Sequence, residues 1–191
     1  MKADAIKTFL VFIAFAAVVC AVLPGCSKVG EEETVGDNAG ECYRQAVAYK
    51  QMERYPEAVR ALNQAIRINP AYAKAYYCLG TVYVKMRRYP EAVEAFKQAI
   101  SIKPDYTKAY YELGEAYNKL RRYGEAVEVF KRAVQIKPAY AKAHYGLGLA
   151  YLRLGDADSA MKEYDILDEI DGGRAGKLFN LIQDTAPGIK K

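Results

Sequence analysis

Histidine occurs once in this chain of 191 residues, at His144, and cysteine four times, at Cys20, Cys26, Cys42 and Cys78. So small a stock removes most site chemistry: no His and Cys spacing of a metal site, no Ser-His-Asp set and no phosphate-cradling glycine loop can be assembled. The dense acidic stretch between Asp156 and Asp171 lacks the alternating ligand order and central glycine of a calcium loop, and helical spacing spreads its charges around. An enzyme, in the form of an uncharacterised hydrolase site, is therefore the minority expectation, and no cofactor or metal is expected. Charge of one sign is also scarce. A net charge of +5 is too modest an excess to point to nucleic acid. The longest uncharged apolar run, Thr8 to Leu23, stops short of the ~20 residues that span a bilayer.

What the chain has in plenty is repetition. Laid over one another, Ala73 to Tyr106 and Thr107 to Tyr140 match at most places, with a weaker copy from Ala141 and another from Ala39. The period is 34 residues, and self-similarity on that scale marks an array. Tyr76, Leu79, Gly80 and Tyr83 fall at i, i+3, i+4 and i+7, one face of a helix; Ala92, Val93, Phe96, Ala99 and Ile100 do the same in the second half of the unit. Between them Pro90 suits a helix's first turn, so each unit reads as a helical hairpin. Gly80, Gly114 and Gly148 each cost ~1 kcal/mol of helix propensity against alanine, which implies a packing reason. The expected reason is close approach of the second helix, with Ala92, Ala126 and Ala160 facing them. Pro104 and Pro138 end the second helices.

The order of aromatic, Leu-Gly, Tyr, Ala, Phe, Ala and Pro resembles the tetratricopeptide repeat, over residues 39 to 174 in four units (39–72, 73–106, 107–140 and 141–174). The resemblance implies an all-α fold: a right-handed helical solenoid of about four helix-turn-helix units. The first unit departs with Cys42, Gln45 and Ala46 at motif places, and the fourth with Leu167 for alanine and no closing proline, as end units do. Ala175 to Gln183 is then expected as a capping helix after a break at Asp171-Gly172-Gly173, with a loose tail beyond Pro187.

Residues 1 to 25 read as a signal segment, with Lys2 and Lys7 before the apolar run. Leu23-Pro24-Gly25-Cys26 resembles the lipobox of bacterial lipoproteins, which implies lipidation at Cys26 and a membrane anchor that does not span. An ordinary cleaved signal or an uncleaved anchor is the other reading. Ser27, where aspartate would signal inner-membrane retention in that family, implies the outer membrane, facing the periplasm. Residues 27 to 38 contain three successive glutamates and almost no apolar content, and are expected as a disordered tether of roughly 20 Å.

By unit, the charge is +2, +3, +3 and −3, with −3 on residues 26–38. This biases the array toward an acidic partner or its own tether, unless the charges are simply solvated helix faces. Cys42 and Cys78 lie two positions out of phase in neighbouring units, which opposes a disulfide and favours two small buried residues. His144 takes the packing place of Tyr76 and Tyr110. A second stripe on each first helix comprises Lys74, Tyr77, Thr81 and Val84; Lys108, Tyr111, Glu115 and Asn118; Lys142, Tyr145, Leu149 and Leu152. In tetratricopeptide proteins that stripe lines a concave groove where peptides or partner helices dock. The resemblance thus implies a scaffold or adaptor that binds a protein or peptide ligand without catalysis. Pilotin-type assembly factor and adaptor for peptidoglycan enzymes are the alternatives. Tyr77, Tyr111 and Tyr145 serve either ligand or scaffold, since tyrosine is common there in the repeat. The Lys-and-Asn clamp of some relatives has no match, because tyrosine and then Thr81, Glu115 and Leu149 take its places.

Overall fold

A computed structural model describes residues 35 to 186, with side chains from residue 38. The apolar run, Cys26 and most of the expected tether lie outside the described residues. These residues form nine helices and no strand: α1 (Val35–Gln51), α2 (Tyr55–Ile68), α3 (Ala73–Lys85), α4 (Tyr89–Ile102), α5 (Thr107–Lys119), α6 (Tyr123–Ile136), α7 (Ala141–Leu154), α8 (Ala157–Ile170) and α9 (Gly172–Thr185). None is long and apolar enough to cross a membrane. Four antiparallel hairpins stack in sequence order, and α9 closes the array against α7 and α8.

The sequence dictates the hairpin turn in detail. Pro56 and Pro90 occupy the first turn of α2 and α4. Just before them Glu53, Arg87 and Arg121 adopt left-handed backbone with φ of 58° to 59°, and in the fourth unit Gly155 does so at 81°. In the second unit the Arg88 N–H then donates to the Tyr83 carbonyl at 2.9 Å and the Arg87 N–H to Val84 at 3.0 Å, the double bond of a Schellman ending. The arginine after the turn is itself held. Arg54, Arg88 and Arg122 lie 4.8 to 5.0 Å over Tyr49, Tyr83 and Tyr117 and pair with Glu57, Glu91 and Glu125. In the fourth hairpin Asp156 replaces arginine and accepts from the Ser159 N–H as a helix cap.

The core confirms the packing role of the glycines and identifies the side chain nearest to each. A Cβ on Gly80 would lie 2.5 Å from the Phe96 ring, and one on Gly114 2.6 Å from Phe130. The group nearest to that point is thus a fully buried phenylalanine of the second helix. In the last unit it is Leu178 of α9, 2.6 Å from the corresponding point on Gly148. Two boundaries also move. Helix α1 starts at Val35, inside the stretch expected as tether. The break before the capping helix narrows to Asp171, whose carboxylate caps the Arg174 N–H, while Gly172 and Gly173 are already helical.

Candidate ligand groove

First helices of successive units touch one another, α1 with α3, α3 with α5 and α5 with α7, whereas no two second helices touch among the described residues. The first helices therefore lie closer to one another than the second helices do, and the second stripe is the candidate lining of the side they share.

The tyrosines there are neither free nor enclosed. Tyr77 is half-buried, its ring 5.9 Å from Phe96 and 5.0 Å from Tyr106; Tyr111 sits 6.0 Å from Phe130 and 5.7 Å from Tyr140. Burial pushes both hydroxyls far above the usual tyrosine value, with Glu112 adding to it at Tyr77 and Glu115 at Tyr111. Each ring thus packs at a tilt against the core phenylalanine and beside a second tyrosine, and stays only half-buried. Tyr43, in the first unit, repeats this against Tyr72 at 5.3 Å. Tyr145 is half-buried against the last core cluster with Leu149 and Leu152.

The remaining stripe residues divide between floor and rim. Thr81 accepts from Lys50 Nζ at 2.7 Å and donates to the Cys78 carbonyl at 2.8 Å, tying α1 to α3 across the floor. Tyr43, Val47, Lys50 and Tyr77 bound a cleft of about 300 Å³ there, with Cys78 beneath. Cys42 and Cys78 are both buried and form no disulfide. A second cleft of about 410 Å³ is lined by Glu115, Asn118, Lys119, Arg121, Tyr123, Leu149 and Arg153. Val84 is half-buried. Lys74, Lys108 and Lys142 are exposed along the edge where the first helices begin; Lys85, Lys119 and Arg153 are exposed along the edge where they end.

Charge is distributed unevenly between the two faces. On the second helices and their turns the carboxylates of Glu57, Glu91, Glu94, Glu125 and Glu128 each pair with a cation three residues away. None of the six rim cations enters an ion pair among the described residues. On the floor Glu112 and Glu115 are half-buried, and burial raises both carboxyls above the usual range. Lys142 and Lys50 oppose the rise at Glu112, while at Glu115 the neighbouring Glu112 adds to it and Lys119 opposes. Glu112, Lys50 and the lower rim were missed in the sequence because the stripe followed only i, i+3, i+7 and i+10. Extending it to i+4 and i+11 adds Glu112 and Lys119 from Lys108.

His144 occupies the packing place expected of it, at 5% exposure, yet it is not merely packed. Nδ1 lies 2.6 Å from the Glu163 carboxylate and Nε2 2.7 Å from the Pro138 carbonyl oxygen. With a carboxylate at one ring nitrogen and a carbonyl oxygen at the other, the surroundings favour the form that carries both protons.

Family models described as tetratricopeptide repeat or TPR repeat match residues 47–87, 77–141 and 119–178. Among solved structures, the crystal structure of MamA is similar, with 27% identity, a TM-score of 0.68 and coverage of 73% of this chain and 81% of that one. YrrB, described as a TPR protein with an unusual peptide-binding site, aligns at 20% identity and a TM-score of 0.64 over 82% of this chain and 94% of that one. The first TPR of Spaghetti (RPAP3), bound to the HSP90 peptide SRMEEVD, aligns at 20% identity and a TM-score of 0.61 over 63% and 95%. Comparison with curated protein sequences gives no significant match.

Proposed function

Because the chain carries tetratricopeptide repeats across residues 47 to 178, we propose that it is a protein-binding scaffold that holds an acidic, extended segment of a partner in its concave groove, without catalysis. The observation that carries this reading is the unpaired state of the rim. Lys74, Lys108 and Lys142 on one edge and Lys85, Lys119 and Arg153 on the other face a floor of half-buried tyrosines. A ligand carboxylate gains there what the protein's own carboxylates have spent on the outer helices. The tyrosines add broad, rigid contact area with a hydrogen-bonding tip. YrrB and RPAP3 share the fold alone at their identities, so the peptide reading rests on this groove and on the repeat family.

We also propose a cell-envelope location, supported by Cys26, whose setting resembles a lipobox, with the outer membrane and its periplasmic face as the address that the resemblance implies from Ser27. Anchoring would raise the local concentration of groove and partner at the membrane surface. Two experiments test the reading. Crosslinking in intact cells followed by co-purification should recover a partner, and replacing Lys85, Lys119 and Arg153 with glutamine should lower recovery by about tenfold, at ~0.5 kcal/mol for each exposed pair. Unchanged recovery would remove the groove from the account. A clickable fatty acid should label the wild type and not Cys26→Ala; equal labelling of the two would refute the anchor.

A further inference from the structure

The arginine doublets at the hairpin turns are not used evenly. In Arg87-Arg88 and Arg121-Arg122 the second arginine lies over a tyrosine and pairs with a glutamate, whereas the first enters no ion pair among the described residues. Both first arginines are exposed, and both hold the left-handed backbone of the turn at φ 59°. The same place holds Glu53 in the first unit and Gly155 in the fourth, so the turn itself does not call for arginine. Glycine makes it with less strain.

Arg121 also lines a cavity. The cleft of about 410 Å³ where the third hairpin meets α7 brings it together with Lys119 and Arg153. None of the three has a carboxylate within ion-pair distance among the described residues. Glu115 is the one carboxylate in the lining; it is half-buried and already accepts a hydrogen bond from the Asn118 amide. Three cations thus share the cleft with one acid.

We propose that Lys119, Arg121 and Arg153 form the principal anion subsite of the groove, seating two neighbouring carboxylates of the bound segment, with Arg121 as its specificity-determining residue. The inference rests on the groove reading above and narrows it. A guanidinium takes one carboxylate through two parallel N–H bonds, which leaves Lys119 and Arg153 for a second. Two ligand carboxylates together with an ionised Glu115 balance the three cations, which a single carboxylate does not. One unit earlier Lys85 and Arg87 continue the row, and Gln51 and Glu53 end it in the first unit. The acidic part of the segment therefore lies over the second to fourth units, where Glu53 does not repel it.

The test is a selection from a random peptide display library on the full chain in detergent micelles, with the selected peptides then titrated against wild type, Arg121→Gly and Arg132→Gln. Arg121→Gly removes the side chain and leaves the turn a residue that suits it. Arg132→Gln removes the same charge from an exposed place on α6, where Arg132 bonds only Gln135 among the described residues. Urea denaturation accompanies each titration. Wild-type selection is expected to enrich a fixed pair of adjacent Asp or Glu residues. The selected peptide should bind Arg121→Gly about tenfold or more weakly, as expected for loss of a charge-assisted bidentate contact, and Arg132→Gln within about twofold of wild type. Arg121→Gly should be at least as stable as wild type, which separates a ligand contact from a role in the turn. An acidic pool without a fixed pair, or a peptide that binds Arg121→Gly as tightly as wild type, overturns the subsite and leaves the groove reading intact. Equal weakening by Arg132→Gln reduces the effect to net charge and overturns the subsite as well, and a destabilised Arg121→Gly assigns the arginine to the turn. A pool without acidic residues, or no enrichment, overturns both readings.

Discussion

At the residue scale the repeat acts as its own control, because each place is filled four times in nearly the same surroundings. Gly114 and Gly124 both sit in helices and both weaken them in principle, yet their surroundings differ. A methyl on Gly114 would enter the space of the Phe130 ring, which is fully buried and has no room to retreat, whereas nothing lies within 4 Å of one on Gly124. Gly114→Ala should therefore destabilise the chain by about 1–2 kcal/mol: overpacking at ~1–3 kcal/mol outweighs a propensity gain of up to ~1 kcal/mol. Gly124→Pro installs what Pro56 and Pro90 provide in their units, and should stabilise by about 0.4–1 kcal/mol through the unfolded chain. Urea denaturation midpoints of the two variants should move in opposite directions, and a stabilising Gly114→Ala would refute the close approach of ring and backbone. The need for a small residue at Gly114 was legible from its cost in a helix, but its partner was not. Ala126 and Phe130 lie on the same face of α6, and spacing alone does not say which of them meets the glycine.

At the scale of the helical element, the fourth hairpin keeps the shape of the others with different chemistry. Where Tyr110 of α5 has Val129 of α6 at the matching place, His144 of α7 has Glu163 of α8, and Pro138 contributes its carbonyl from beyond the end of α6. Burial works against the imidazolium, but the Glu163 carboxylate and the Pro138 carbonyl outweigh it and raise the histidine above its usual value. A raised folded value means that the stabilisation is complete below the unfolded histidine's ~6.5 and is lost as pH climbs through the folded value. Thermal melts should therefore show stability falling from about neutral pH into mildly alkaline buffer by this contribution. In a double variant His144→Tyr and Glu163→Val, which restores the third unit's pair, that part of the fall should vanish. An identical pH profile in the two proteins would show that the pair does not titrate in this range. The repeat pattern placed His144 on a buried face correctly but could not reveal its charge, because Glu163 lies on the other helix of the hairpin. The left-handed turn is a similar case. Gly155 announces it in the last unit, whereas Glu53, Arg87 and Arg121 conceal it behind residues that rarely adopt that backbone.

For the whole molecule the decisive property is that each hairpin leans only on its neighbours, so the ends need covering. The sequence showed both the period and the presence of a cap, but not how fully α9 joins the core. Leu178 and Ile182 are completely buried, and Leu178 supplies to Gly148 the contact that Phe96 and Phe130 supply to Gly80 and Gly114. Helix α9 thus acts as the first helix of a unit that is not completed, anchored at its start by Asp171 and packed against both helices of the fourth hairpin. Leu178→Ala should cost about 2–5 kcal/mol, the range for emptying a buried leucine site. The loss should not spread evenly, because coupling in a stacked array passes from neighbour to neighbour. Amide hydrogen exchange of the variant should accelerate most in α9, α8 and α7 and least in α2 to α4, leaving the Lys50–Thr81 end of the groove protected while the Leu149–Arg153 end opens. Acceleration of equal size in every helix would mean that the chain folds as one cooperative block, and the unit-by-unit account of its stability would fail.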